Sequence, residues 1–211
     1  MKIDKTYLNT LWQRVSQEND QRSFEELFHL CYQRLVRFAV EYVHSHESAE
    51  EIVSDIFLRL WAGRNTYQDI LHIEKYLFTA VRNQSLNYLR KFSAYRVVTT
   101  DNPEQLNIAY SHDPYKASEW KELLSRLDEA VEMLPPKRRK IFRLIREDGF
   151  KPREVAEIMN LSHRTVETQL FKAVKTLHIV LQPYLSARQK NAPAAVDTTV
   201  LLSLLLASLT I

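Results

Sequence analysis

Residues 152–177 read PREVAEIMNLSHRTVETQLFKAVKTL, and the spacing within this stretch sets the class of the fold. Val155 and Met159 stand four apart, as apolar positions do on one helix face. Ala156 is small enough to let a second helix cross closely. Asn160 falls where a turn needs a residue that tolerates left-handed backbone. Leu161 plugs that turn, and Ser162 can cap the helix that follows. Val166, Leu170, Ala173, Val174 and Leu177 then return at helical steps. Helices over about Pro152–Met159 and Ser162–Leu181, joined by so short a turn, have the grammar of a helix-turn-helix. His163, Arg164, Thr165, Glu167, Thr168, Phe171, Lys172 and Lys175 are left on the other faces. Polar residues at the start of the second helix can reach base edges, with arginine preferring guanine. Arg153, Lys172, Lys175 and the run Lys137–Arg138–Arg139–Lys140 fall nearer phosphates. The bland alternative is a three-helix packing unit with a solvated basic face. The Ala, Asn and Ser placements and the local charge favour DNA.

The helical spacing extends outward on both sides. Trp120, Leu123, Leu124, Leu127, Ala130, Val131 and Leu134 form a stripe that Pro135–Pro136 ends, the prolines then opening the next helix up to Gly149. Upstream, stripes run through Tyr7–Val15, Phe24–Val43, Ile52–Trp61 and Ile73–Phe92. Ser23 with Glu26, and Ser48 with Glu51, read as capping boxes for the second and third helices. No stretch alternates as a strand does. The expectation is an all-α chain of two helical domains, 1–96 and 119–185. A polar linker would join them over 97–118, and a tail would follow over 186–211.

Composition narrows the function. The chain has 211 residues, 45% hydrophobic and 26% charged, enough to bury a core. Its 2 glycines, Gly63 and Gly149, exclude a glycine-rich phosphate loop. One cysteine, Cys31, excludes an internal disulfide and a multi-cysteine zinc site, and suits a reducing cytoplasm. No nucleophile–base pair, metal cluster or cofactor motif is present; His44, His46 and Glu47 are explained as solvated residues at a helix junction. An enzyme is disfavoured, and no cofactor or metal is expected.

Net charge is only +3, but it is unevenly spread. Residues 41–56 hold five acids and no Lys or Arg, whereas residues 135–190 hold 13 Lys and Arg against 5 Asp and Glu. Such asymmetry suggests two kinds of partner. Glu50, Glu51 and Asp55, beside Leu58, Arg59 and Trp61, make either a docking face for a protein or a solvated helix face. Composition alone favours the latter. The loop with Arg64, Asn65 and Tyr67, and the helix with Arg82, Asn83, Asn87, Tyr88, Arg90 and Lys91, mix cations, amides and aromatics. Single-stranded nucleic acid is held by that mixture. The alternative makes Tyr76, Tyr88 and Phe92 core and the cations solvated; Tyr76 is read as core, and Asn87, Arg90 and Lys91 fit either reading equally.

AEEIVSDIFLRLWAGR (Ala49–Arg64), YLFTAVRNQSLNYLRK (Tyr76–Lys91) and the stretch Leu134–Leu177 together resemble an extracytoplasmic-function sigma factor of the sigma-70 family. With Phe24–Tyr42 the likeness covers most of residues 20–180. Two unrelated motifs in order are far more specific than one helix-turn-helix. The resemblance implies that the helix around Glu50–Trp61 docks on the β′ clamp helices of core RNA polymerase, with the β flap as a second contact. It implies that Arg64–His72 and the helix from Arg82 to Lys91 hold and melt the −10 element, with a base flipped near Asn65 and Tyr67. Arg153, Ser162, His163, Arg164, Thr165, Glu167, Thr168, Lys172 and Lys175 would face −35 DNA, and the linker would thread toward the polymerase active-site channel. Members are usually restrained by an anti-sigma factor, often membrane-bound. Lys151–Pro152 departs from a common Ser-containing opening and Asn160 from a usual Gly, which bears on base preference more than on fold. The first helix and the tail fall outside the shared core.

The tail Val200–Ile211, VLLSLLLASLTI, is uncharged and too short to span a bilayer. Folding back onto a groove, burial in an anti-sigma partner or contact with a membrane surface would each remove it from water. If it holds the domains together, its deletion raises basal transcription. The rival classes are a stand-alone helix-turn-helix regulator and an anti-sigma-type binding protein. Core-polymerase binding separates the first from a sigma factor, and promoter opening separates both.

Overall fold

Asp20 and Ser45 start the two helices that carry the main core. Asp20 accepts from the Arg22 amide and Ser45 from the Ser48 amide. Both helices therefore begin one turn before the Ser23 and Ser48 expected from sequence; Ser23 instead donates its hydroxyl to Asp20. A computed structural model describes residues 3–96 and 119–189. Its helices are α1 (Lys5–Glu18), α2 (Gln21–Val43), α3 (His46–Ala62), α4 (Ile73–Arg96), α5 (Glu119–Glu132), α6 (Pro136–Arg146), α7 (Pro152–Met159) and α8 (His163–Gln189). No strand occurs among the described residues, so the all-α expectation holds. The linker 97–118 and the apolar run Val200–Ile211 lie outside the described residues.

One compact unit takes described residues 3–96 and 136–170. Its apolar interior is built from Leu8, Leu11 and Trp12 of α1, Leu27, Leu35 and Ala39 of α2, Val53, Phe57 and Leu60 of α3, and Ile73, Leu77 and Phe78 of α4, all buried. Phe24, Phe28, Phe57 and Trp61 stack edge-on or tilted where α2 meets α3. The Trp12 indole donates to the carbonyl of Tyr67 at 3.2 Å, tying α1 to the loop before α4.

In the same unit α6 and α7 pack on α2 and α4. Phe78 meets Phe150 at 5.0 Å, and the Tyr42 hydroxyl meets the Met159 sulfur at 3.3 Å. Charged groups surround these apolar contacts. Arg34 bridges Glu74 at 2.7 Å and Asp148 at 2.9 Å. Glu41, 7% exposed, receives Arg139 on both oxygens, with Arg143 on one of them, and its backbone carbonyl takes the Lys140 ammonium. Lys5 reaches Glu154 and Lys75 reaches Glu157. Burial pushes the Glu74 and Asp148 carboxyls up, against the pull of Arg34.

The second unit takes described residues 119–135 and 171–189. Ala130, Val131, Leu134, Ala173, Leu177 and Leu181 are buried in it, and Met133, Phe171 and Ile179 are exposed. α8 runs on past Leu181, where the apolar spacing ends, to Gln189.

The lone thiol of Cys31 is buried in α2, and burial pushes its pKa up from 9.0 to about 12. A group kept neutral by the fold stabilises it below the unfolded pKa, and that contribution is lost as pH rises through the folded one. Thiolate absorbance should stay silent in the native protein between pH 9.0 and about 12 and rise on unfolding. A thiol that titrates near pH 9.0 in the folded protein would place Cys31 in solvent.

Candidate nucleic-acid interface

Asn160 closes α7 in left-handed backbone, φ 51° and ψ 55°, as the turn requires. Glu154 reaches back to the Lys151 amide at 2.7 Å, so α7 is capped without the usual serine. Pro152 fits its first turn, where no amide partner is needed. Ser162 accepts from the Thr165 amide at 3.1 Å and caps α8, and the two hydroxyls bond at 2.7 Å. Val155, Ala156, Met159, Val166 and Leu170 are buried, so the turn is fixed from beneath.

That packing turns the other face of α8 outward. Ser162, His163, Arg164, Glu167, Thr168, Lys172 and Lys175 are exposed and Thr165 is half-buried. His163 lies 3.5 Å from Glu167, one turn on. Thr168 donates to the Arg164 carbonyl. Arg153 is exposed on α7. The basic run before it is divided. Arg139 and Lys140 turn inward to Glu41, Arg138 bonds Gln169, and Lys137 is exposed. Arg139 and Lys140 are therefore committed to protein contacts and not displayed for phosphates.

A second surface forms between α3 and α4. An open cleft of about 590 Å³ has Glu51, Asp55 and Arg59 on one wall and Asn87, Tyr88, Arg90 and Lys91 on the other. The acidic and basic features that look separate in sequence thus face each other. Tyr88 is fixed by a 2.9 Å bond between its hydroxyl and that of Ser48. Asp55 lies 3.6 Å from Arg59, and Glu50 lies 3.4 Å from His46. Leu58 is 67% exposed on the outer face of α3. Among the described residues no group of three or more His, Cys, Asp or Glu is placed to hold a metal ion.

The loop before α4 does not line this cleft. Arg64 lies 4.3 Å over the Trp61 ring, donating to Asn19 and to the Trp61 carbonyl. Trp61 is itself packed on Phe24, so both residues hold the α3 end together. Gly63 is required by the ring of Tyr67, which lies 2.6 Å from where a Cβ would stand. Tyr67 is half-buried, with Tyr76 at 5.9 Å, and Asn65 is exposed. Arg82 bonds its neighbour Asn83, which is exposed as Asn87 is.

Sequence reasoning missed the network of Arg34, Glu41, Glu74 and Asp148. A signal was present: Arg34 stands three residues after Cys31 and four before Phe38, and Glu74 three before Leu77, so both charges sit inside apolar stripes.

Residues 27–94 match the family described as sigma-70 region 2, and residues 124–177 match sigma-70, region 4. RNA polymerase sigma factor SigV of Bacillus subtilis (strain 168) is 27% identical over 149 residues, covering 71% of this chain and 85% of its own. RNA polymerase sigma-H factor of Pseudomonas aeruginosa is 20% identical over 176 residues, covering 80% and 91%. RNA polymerase sigma factor YlaC of Bacillus subtilis (strain 168) is 25% identical over 163 residues, covering 72% and 87%. The sigma factor RpoE of Bartonella quintana, solved in complex with the anti-sigma factor NepR, superposes with a TM-score of 0.58 at 22% identity, over 76% of this chain and 98% of that one. CnrH, solved with the cytosolic domain of CnrY, gives 0.54 at 18%, over 84% and 98%. At these identities the two structures speak for the fold.

Proposed function

The chain belongs to the sigma-70 family, in its extracytoplasmic-function class, and from that premise we propose how it works. It binds core RNA polymerase and directs it to promoters through −10 and −35 DNA, under the control of an anti-sigma factor. The observation that carries this is the occurrence of region 2 and region 4, in order, on one chain. Its role is recognition and strand separation, the covalent chemistry belonging to polymerase. The proposed division into domains 1–96 and 119–185 is supported by the order of the two matched regions, 27–94 and 124–177.

On this reading the α3 surface of Glu50, Glu51, Asp55, Leu58 and Arg59 docks on the β′ clamp helices, with Trp61 shaping its end. The β flap would take the C-terminal domain. Asn65, Tyr67, Arg82, Asn83, Asn87, Tyr88, Arg90 and Lys91 serve −10 DNA, with Arg64 holding their loop. Ser162, His163, Arg164, Thr165, Glu167 and Thr168 reach the −35 major groove, and Arg153, Lys172 and Lys175 the flanking phosphates. The exposure of the polar first turns of α8 supports this assignment. Each DNA surface is weak alone, and joint docking on polymerase raises the effective concentration of the second. The protein works where polymerase does, in the cytoplasm; its anti-sigma factor fits a membrane-bound type as well as a soluble one.

The test is initiation in vitro with core polymerase, this chain and a library of promoter fragments. Initiation that depends on the chain is expected; absence of core binding would sink the reading and favour a stand-alone DNA-binding regulator. Within that assay Arg164→Ala should cost about 1–3 kcal/mol and relax preference at one base pair of the −35 element. Lys175→Ala should instead weaken all fragments alike and lower the salt slope by about one. Equal behaviour of the two variants would remove base readout from Arg164.

A further inference from the structure

Within the loop 63–72, the Thr66 and Tyr67 amides donate to the Gly63 carbonyl and the Ile70 amide to the Tyr67 carbonyl. Further support comes from α1 and from Asn19, which closes α1 in left-handed backbone. Arg64 Nε donates to Asn19 Oδ1 at 2.7 Å, and Gln68 Nε2 to the Ser16 carbonyl at 3.2 Å. The Trp12 indole donates to the Tyr67 carbonyl at 3.2 Å, and the Ile73 amide, at the exit of the loop, to Asn9 Oδ1 at 3.1 Å. We infer that α1 is the positioning element of the −10 loop. Asn9, Trp12 and Asn19 fix the backbone from which Asn65 and Tyr67 work, and Asn9 also fixes where α4 begins. The inference rests on the sigma-factor reading and adds to it residues outside the stretch 27–94 that matches region 2.

Asn9, Trp12, Ser16 and Asn19 stand at steps of three, four and three, so they form one row along α1. The row runs against the loop: Asn9 meets its exit and Asn19 its entry. It is about 15 Å long, whereas the chain from Arg64 to Ile73 can extend to about 30 Å. The length of the loop therefore does not impose its shape, and the row selects one. Trp12 and Asn9 engage backbone groups, so they hold the loop without engaging the side chain of Asn65, which is exposed.

α1 is itself a fixed base. Asp4 caps it through the Thr6 amide, and Leu8, Leu11, Trp12 and Val15 are buried. Asn9 has a second effect. The first amides of a helix lack partners within it, and His72, just ahead of α4, is not a side chain favoured in that place. Asn9 supplies the acceptor from a neighbouring helix, and Ile73 is fully buried, out of reach of water. The start of α4 is thereby set, and with it the helix that presents Asn83 and Asn87. A loop already ordered before DNA arrives loses less entropy when it grips a base.

The test uses the full chain assembled with core polymerase and, as probe, a single-stranded −10 fragment chosen from the promoter library. Asn9→Ala removes the acceptor for the Ile73 amide. Asn19→Gly removes the acceptor for Arg64 and suits the φ of 55° at that position. Each should weaken single-strand binding by about three- to tenfold, the effect of one hydrogen bond, and narrow the preference among bases at the −10 positions. Binding to core and to an isolated −35 duplex should stay as in the parent. Asn9→Asp keeps an acceptor oxygen and should restore the parent's affinity; failure to do so overturns the part given to Asn9. Unchanged single-strand affinity and base preference in both variants would overturn the inference. A loss shared by core binding and the −35 duplex, or a fall in helix content, makes α1 a structural support only and overturns it as well. If the parent itself does not bind core polymerase, the sigma-factor reading falls, whereas variants that match an active parent sink this inference alone.

Discussion

Glu41→Lys should expand the protein without unfolding its helices. The parent carboxylate accepts Arg139 and Arg143, and Lys140 lies on its backbone carbonyl. A lysine there would face three cations in a site 7% exposed. Loss of one partner from a buried ion pair costs about 3–5 kcal/mol, and reversal adds repulsion. Of the other ion pairs on the docking face of α6 and α7, Lys5–Glu154 and Lys75–Glu157 are partly exposed and contribute about 0–1 kcal/mol each, which leaves Arg34–Asp148 and the apolar contacts to oppose that cost. The radius of gyration from small-angle scattering should rise, while helix content by circular dichroism stays within error. Glu41→Lys combined with Arg139→Glu should recover part of the compaction. An unchanged radius in the single variant would leave the Glu41 network with no structural role.

Trp12→Ala should be the most damaging single truncation in the first bundle. Trp12 is fully buried and heads the large side chains of the core. Its loss costs about 3–5 kcal/mol through the cavity and the lost transfer energy. For a domain of this size the melting temperature should fall by about 10 °C. Trp12→Phe separates packing from hydrogen bonding. It fills much of the space but frees the Tyr67 carbonyl, a loss of about 1 kcal/mol. Promoter opening, followed by permanganate reactivity of the −10 strand, should fall more than that small stability change implies, because the freed loop carries Asn65 and Tyr67. Unchanged opening in Trp12→Phe would detach α1 from the function of the loop.

The two positions also show what the chain discloses. The helix-turn-helix was legible because its determinants are local: Asn160 turns the backbone, Ser162 caps, and Val166 and Leu170 fall on one face within ten residues. The helix starts were legible only to a turn, since Asp20 and Ser45 lack the Glu partner that a capping box advertises. The exposure of His163, Arg164, Glu167 and Thr168 followed from the same periodicity. The ion-pair network did not. Arg34 and Asp148 are 114 residues apart, and Glu41 and Arg139 are 98 apart. Periodicity marks such charges as misplaced on an apolar stripe but cannot name their partners. Nor could it show that Arg64 and Trp61 spend their chemistry on each other, because that contact depends on how the chain turns at Gly63.

The cleft between α3 and α4 has a thermodynamic consequence. Its walls bear opposite charge, Glu51 and Asp55 against Arg90 and Lys91. Each wall lowers the affinity of the other for the occupant proposed for it, since carboxylates repel a phosphate and cations repel a basic protein surface. A cationic protein settling on the acidic wall screens the charge that keeps nucleic acid away, and a phosphate strand on the basic wall does the converse. The two occupants are then linked: whatever factor the first adds to the affinity of the second, the second must return to the first. On the proposed assignment of the two walls, polymerase and the −10 strand recruit one another through a charge pattern that favours neither when alone, and raised salt weakens that cooperativity.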